Sequence, residues 1–77
     1  MIKKYKHDRD YLNKLLFMHN VRLVFNIAKG YASKAKSFDD LVMNGMKGLG
    51  EAAKRFDIKK GIKFTTYAHW WIRKFIL

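Results

Sequence analysis

The stretch KFTTYAHWWIRKFIL, residues 63–77, constrains the fold most, because as a helix it has two separate apolar faces. At about 100° per residue, its apolar residues divide between two arcs. The aliphatic arc comprises Ala68, Ile72, Phe75 and Ile76. The aromatic arc comprises Tyr67, Trp70, Trp71 and Lys74. One helix of so small a protein cannot bury both arcs, so we expect the aliphatic arc to join a core and the aromatic arc to meet a partner.

The charge of the chain indicates the class of that partner. Seventeen Lys and Arg stand against six Asp and Glu, which gives a formal net charge of +11. A surplus of this size favours a polyanion, either nucleic acid or an anionic membrane surface. Because the basic residues are spread through segments with strong apolar periodicity, we expect a folded basic domain rather than a disordered arm.

The rest of the sequence predicts an all-α fold with three main helices in a single domain, residues 1–77. The chain has no proline, and strand-like alternation is rare. The predicted segments are a basic N-terminal end at 1–7, a central helix at about 8–32, a second helix at about 38–56 and a third helix at about 65–77.

Local signals give further detail within these helices. Asp8, Ser37 and Thr65 are the expected N-caps, and Ser37 forms a predicted capping box with Asp40. His19 lies on the apolar stripe of the central helix and is expected in the core. Close approach of two helices is expected at Gly45, while Gly48 and Gly50 are expected to be weak points, and Gly61 is expected to be left-handed.

Catalysis and metal binding find little support in the sequence. The histidines are too scattered for metal spacing, and the adjacent Asp39 and Asp40 lie about 100° apart on a helix and cannot share a proton. There is no cysteine, phosphate loop or nucleophile motif. We therefore expect no enzyme, no cofactor, no metal and no small-molecule substrate. Without an apolar run of about 18 residues or a signal segment, we also expect a cytoplasmic protein with no membrane partner.

Basic and aromatic residues interleave over residues 54–77. Basic side chains can track phosphates, while exposed rings stack on unpaired bases, each stack contributing about 1–3 kcal/mol. A duplex hides the base faces, so this composition favours single-stranded or melted nucleic acid, unless the rings wedge between base steps. Two alternatives stay open: both tryptophans could fill a core, or the helix could lie on a membrane surface.

Four motifs in order then point to a family. They are Asn-x-Arg-Leu-Val from Asn20, the pair Asp40-Leu41, Gly-x-x-Gly-Leu at 45–49 and KGIKFTTYAHWWIR at 60–73. Together they resemble region 2 of the bacterial sigma factors of the sigma-70 class, from Asn20 to Leu77 without a gap.

The resemblance implies a helical domain that docks on the RNA polymerase core, on the clamp of its largest subunit. It also implies capture of the non-template strand of the promoter minus-ten element as that element melts. The positions matching an aromatic pocket for a flipped adenine are Phe56, Lys60, Ile62, Lys63, Tyr67 and Trp70. The positions near a second flipped base, a thymine, are Asn20, Leu23, Thr65 and Thr66.

The resemblance assigns two further groups of positions. Trp70 and Trp71 match a pair that wedges against the upstream edge of the bubble. The basic composition of residues 54–77, rather than the resemblance, predicts DNA contacts at Lys59, Arg73 and Lys74. The polymerase-docking positions are Asp39, Asp40, Met43, Asn44 and Met46.

The chain departs from the family at several of these positions. Ile62 stands where a tyrosine is usual, so one ring of the adenine pocket is missing, and Lys74 stands where glutamine often reads the upstream duplex. In the docking helix, Met43 and Met46 either form an adaptable apolar contact or fill the core. The alternative function is a basic module that binds single-stranded nucleic acid without a polymerase partner. The chain is expected to be a fragment of a longer factor or a reduced stand-alone factor, acting in a bacterial or phage-infected cell.

Overall fold

The computed structural model describes residues 2–77, with side chains from residue 9 onward. It contains four α-helices and one short 3₁₀ turn, and no strand occurs in this range. The elements are α1 (Ile2–Met18), α2 (Val21–Tyr31), α3 (Phe38–Arg55), the 3₁₀ turn Ile58–Lys60 and α4 (Phe64–Ile76). The all-α prediction is therefore confirmed.

The predicted single helix at about 8–32 is wrong, because the chain breaks after Met18 and restarts at Val21. The side chain of Asn20 causes the break by donating its Nδ2 to the carbonyl of Leu16 at 2.7 Å. In a continuous helix the backbone N–H of Asn20 would donate a hydrogen bond to that carbonyl oxygen. It bonds instead to Phe17 O at 3.2 Å. Three main helices thus become four.

The break resolves a conflict in the sequence, since an unbroken helix would be apolar around most of its circumference. As two helices, α1 packs on α3, whereas α2 packs on both α3 and α4. His19, expected in the core, lies exposed at the break instead. Its backbone N–H still bonds to Leu15 O, so it ends the last turn of α1.

The start of α1 also differs from the prediction. The helix begins at Ile2 rather than near Asp8. The segment before Asp8 is rich in lysine and lacks glycine and proline, so its intrinsic helix propensity is good. The side chain of Asp8, the predicted N-cap, lies outside the described residues, as does Met1.

Helices α3 and α4 form the most extensive contact of the fold, and glycines make it possible. At Gly45, an added Cβ would lie 2.7 Å from Val24 Cγ1 of α2 and 3.3 Å from Ile76 Cδ1 of α4, so the predicted close approach is confirmed. Gly48, expected to be only a weak point, is also a contact: its Cβ would lie 2.6 Å from the backbone carbonyl oxygen of Trp71. The expectation that Gly48 only weakens the helix is therefore wrong.

The helix ends match the sequence in part. Ser37 is the N-cap residue of α3, but its side chain makes no capping bond, so the predicted capping box is not formed. Helix α4 is capped by Lys63 rather than Thr65, with Tyr67 N bonding to Lys63 O at 3.1 Å. The earlier start lets Phe64 bury its ring against Phe56 at 5.1 Å.

The turn between α3 and α4 follows the prediction. Gly61 is left-handed, with φ of 72°. Before it, the carboxylate of Asp57 accepts a bond from Lys59 N at 2.9 Å, which fixes the 3₁₀ turn. None of the helices in residues 2–77 combines the length and apolarity that crossing a membrane requires.

Candidate nucleic-acid interface

Helix α4 has the two faces that the sequence predicts. On the aliphatic arc, Ala68 and Ile72 are fully buried and Ile76 is nearly so. They belong to one core cluster with residues of α2 and α3. Phe75, the fourth member, is only half-buried. The core-facing arc is therefore confirmed, with Phe75 at its margin.

The aromatic arc is graded from buried to exposed. Tyr67 and Trp71 are half-buried and pack against the core. Trp70 keeps 57% of its surface exposed. The two alternatives for the tryptophan pair thus divide between its members, since Trp71 contributes to the core and Trp70 lies on the surface.

A row of rings backs this arc. Ring centroids lie 5.1 Å apart for Phe64 and Phe56, 5.8 Å for Phe56 and Tyr67, 6.4 Å for Tyr67 and Trp71, and 6.2 Å for Trp71 and Phe75. Aromatic pairs attract one another at such distances. The row joins the C-terminal end of α3 to α4 from Phe64 to Phe75, and the exposed ring of Trp70 is not part of it.

Two cations lie over the ring of Trp71. The guanidinium carbon of Arg55 is 5.1 Å from the ring centroid, and Nζ of Lys74 is 5.3 Å from it. Arg55 is oriented by an ion pair, because its Nε donates to Glu51 Oε2 at 3.0 Å. Each cation–π contact contributes about 0.5–1 kcal/mol at an exposed site. Trp71 is therefore held by polar as well as apolar neighbours.

A first cleft lies where α3 ends and α4 begins. Its lining residues are Arg55, Phe56, Asp57, Lys60, Ile62 and Tyr67. Four positions of the predicted adenine pocket thus come together, but Lys63 and Trp70 do not line it. The cavity measures about 40 Å³, room for a few water molecules rather than a base. A base that enters this cleft fully needs more room than the cleft has in this structure.

A second, more open cleft lies between α2 and the N-terminal half of α4. Its lining residues are Leu23, Thr65, Thr66, His69 and Trp70, around a volume of about 330 Å³. Three positions of the predicted thymine site meet here. Asn20 does not line the cleft, since its amide Nδ2 is bonded to Leu16 O. Trp70 lies at this cleft rather than at the first.

Exposed basic side chains lie before and at both ends of α4. Lys59 and Lys60 lie in the 3₁₀ turn, Lys63 caps α4, and Arg73 and Lys74 lie in its last turn. All five are exposed. Among the side chains from residue 9 onward, Glu51 and Arg55 form the single ion pair. None of these five side chains forms an ion pair with an acid of the described chain, although Asp57 lines the first cleft with Lys60.

Sequence reasoning did not assign three lining residues of the clefts, Arg55, Asp57 and His69. Arg55 follows Glu51 by four residues, a spacing that favours an ion pair on a helix. Its place directly before Phe56 was the signal that it borders the first cleft. His69 follows Thr65 by four residues and Thr66 by three, so all three share a face of α4.

The sequence of this chain matches a known family over most of its length. A sequence model of the family described as sigma-70 region 2 matches residues 16–77. The chain belongs to the sigma-70 region 2 family. The resemblance from Asn20 onward is confirmed, and the match excludes most of α1.

Named relatives agree with this sigma-70 region 2 assignment. RNA polymerase sigma factor SigA of Microcystis aeruginosa is 49% identical over 70 residues, 91% of this chain and 17% of the relative. SigA of Clostridium acetobutylicum is 51% identical over 63 residues, 82% of this chain and 17% of the relative. RNA polymerase sigma factor sigB of Arabidopsis thaliana is 51% identical over 55 residues, 71% of this chain and 10% of the relative. The chain spans less than a fifth of the length of these relatives.

Membership of the sigma-70 region 2 family bears on the predicted absence of catalysis. Sigma factors are non-enzymatic transcription initiation factors, so the family supports the expectation that the chain is not an enzyme. The part of the chain that the structure describes holds no group of three His, Asp or Glu side chains placed to bind a metal ion.

The region 2 positions predicted to dock on polymerase lie along α3. Asp39 and Asp40 are exposed in its first turn, where acidic residues favour the positive end of the helix dipole. Met43 keeps 62% of its surface exposed. Asn44 is half-buried, and Met46 packs against the core. The two methionines therefore differ: Met43 is free for an outside contact, and Met46 fills the edge of the core.

Proposed function

We propose that this chain is the minus-ten recognition domain of a transcription initiation factor. In this proposal α3 docks on the RNA polymerase core, and α4 captures flipped bases of the non-template promoter strand. The observation that supports it most strongly is the surface of α4, where exposed Trp70 lies at an open cleft and exposed basic side chains lie at both ends of the helix.

The second cleft is the more accessible base site in this proposal. Leu23 offers an apolar contact, Trp70 offers a ring on which a base can stack, and Thr65 and Thr66 offer hydroxyls for its polar edge. These are the chemical groups that a flipped pyrimidine such as thymine requires. A flipped base loses a few kcal/mol of stacking and pairing, which such a cleft offsets in part.

The first cleft is the adenine site in this proposal, and it opens only on binding. Its cavity of about 40 Å³ is too small for a purine. The side chain of Lys60 is exposed and can swing outward, whereas the ring of Phe56 is buried among other rings. The base then stacks against Tyr67, and Ile62 supplies an aliphatic wall in place of a second ring.

Phosphate contacts complete the DNA interface. Lys59, Lys60 and Lys63 flank the entrance to α4, while Arg73 and Lys74 flank its other end. This spacing along one helix lets the backbone of a single strand pass both clefts with a cation near each end. The arrangement combines a basic groove with a stacking surface, as single-strand binding requires.

Docking on polymerase is proposed through the exposed residues of α3. Asp39, Asp40 and Met43 share the outer surface near its N-terminal end, with Asn44 beside them. A thioether adapts to irregular apolar surfaces, and the carboxylates supply charge complementarity to a basic partner. The partner is the clamp of the largest core subunit, in the cytoplasm of a bacterial or phage-infected cell.

The experiment that tests this function is co-purification of the chain with bacterial core polymerase. The tagged wild-type chain should retain core polymerase. The single variants Asp40→Lys and Met43→Lys should each retain less of it. Lys34→Ala, in the loop before α3, is the control and should retain polymerase as the wild type does. Docking through α3 would be contradicted if both lysine variants retained polymerase as well as the wild type does. It would also be contradicted if the wild type retained no polymerase.

A second candidate is a single-strand binding module without a polymerase partner. It is favoured by the net charge of +11 and by Met43 in the docking helix, where the family usually has a polar residue. Binding to a minus-ten oligonucleotide and to its scrambled version separates the two functions. Equal affinities, together with failure to retain polymerase, would favour the second candidate.

A further inference from the structure

Arg9 joins α1 to the C-terminal end of α3. Its Nη2 donates to the carbonyl oxygens of Lys54 and Phe56, both at 3.1 Å. Carbonyls at the end of a helix have no partner within the helix and need one elsewhere. Helix α3 does not end in a left-handed residue, because Phe56 is extended with ψ of 136°. The guanidinium of Arg9 therefore caps α3, at the end where the helix dipole favours a cation.

This cap acts on the residue that begins the first cleft. Phe56 packs its ring edge-on against Phe64 and at 5.8 Å from Tyr67. The same ring lines the first cleft. Holding the carbonyl of Phe56 thus limits the positions that its backbone, and hence its ring, can take. Arg9 lies before residue 16, where the family match begins.

We propose that Arg9 is a positioning residue for the base bound in the first cleft. The inference rests on the proposed base capture. Because that cleft has less room than a base needs, its exposed walls move while Phe56 has to stay. Arg9 lies 47 residues before Phe56 in the sequence and keeps it in place. The packing of α1 on α3 is thereby linked to the shape of the base site.

The test compares two oligonucleotides of the minus-ten non-template strand, one with adenine at the captured position and one abasic there. The 77-residue chain is titrated with each by fluorescence anisotropy at 25 °C, after circular dichroism has shown that each variant is folded. The quantity of interest is the dissociation constant of the abasic oligonucleotide divided by that of the adenine oligonucleotide. A general loss of charge or stability changes both constants alike and leaves this ratio unchanged. The variants are Arg9→Ala and Arg9→Lys, with Lys14→Ala as a control that removes one charge from the same helix.

For the wild type, adenine should bind more tightly than the abasic site. Arg9→Ala should lower the ratio by about two- to tenfold, the factor that one ordinary hydrogen bond represents. Arg9→Lys should give an intermediate ratio, because an ammonium lacks the fork of the guanidinium. Lys14→Ala should leave the ratio unchanged.

Two results would overturn the inference. The first is that either Arg9 variant keeps the wild-type ratio. The second is that both variants fail to fold, which would make Arg9 a purely structural residue. A wild-type ratio of one would instead contradict the proposed base capture itself, so the two failures are distinguishable.

Discussion

Trp70 and Trp71 are adjacent in sequence but have different surroundings. Trp70 is mostly exposed at the second cleft, while Trp71 has two cations over its ring and packs on the core. Their alanine variants should therefore separate binding from stability. In the proposed interface, Trp70 contributes to binding and Trp71 to stability.

Trp70→Ala should weaken binding to a single-stranded minus-ten oligonucleotide by about 1–3 kcal/mol, the contribution of one stacked base. Its melting temperature should stay within about 4 °C of the wild type, since exposed substitutions change stability little. Trp71→Ala should instead destabilise the fold by about 2 kcal/mol, because a half-buried ring is lost. Anisotropy and thermal circular dichroism measure the two effects. Equal destabilisation by both variants would show that Trp70 is a core residue.

At the scale of elements, the contact between α3 and α4 positions the base-capture surface. It depends on Gly48, whose added Cβ would meet the backbone of Trp71. Backbone cannot rotate out of the way as a side chain can. Gly50, two residues on, faces open space apart from Phe17 Cε2 at 4.0 Å.

Gly48→Ala should therefore destabilise the protein by about 1–3 kcal/mol through overpacking. Gly50→Ala is the matched control and should stabilise it by up to about 1 kcal/mol, since alanine is the better helix former. Urea unfolding followed by circular dichroism gives both values. A neutral Gly48→Ala would mean that α3 and α4 are less closely packed than the structure has them.

The sequence predicts the elements better than their boundaries and side-chain surroundings. Periodicity predicts α3 and the two faces of α4, because both depend on which residues are apolar. The break at Asn20 was missed, since it depends on a side-chain bond to Leu16 that periodicity does not reveal. The difference between Trp70 and Trp71 was also missed, because it depends on Arg55 and Leu23 from other helices.

At the scale of the whole molecule, the excess positive charge governs how binding responds to salt. The exposed lysines of the 3₁₀ turn, Lys59 and Lys60, have no acidic partner among the described side chains. Each phosphate contact that they make releases a counterion from the bound strand.

Lys59→Ala and Lys60→Ala should each lower the slope of log K against log salt by about 0.7 for a single strand. Lys34→Ala, at the opposite end of α3, removes the same charge away from the clefts and should change the slope less. Anisotropy titrations at several sodium chloride concentrations measure the slopes. Identical slopes for Lys34→Ala and the other two variants would contradict a strand path beside the 3₁₀ turn.

The central claim is that α4 captures bases of one particular strand. The most direct measurement compares affinity for the single-stranded non-template minus-ten oligonucleotide with affinity for its complement, which has the same length and charge. We predict that the chain binds the non-template strand about tenfold more tightly, the factor given by about one base stack, and that Trp70→Ala removes the difference. Equal affinity of the wild type for both strands would contradict the claim, because charge alone would then account for binding.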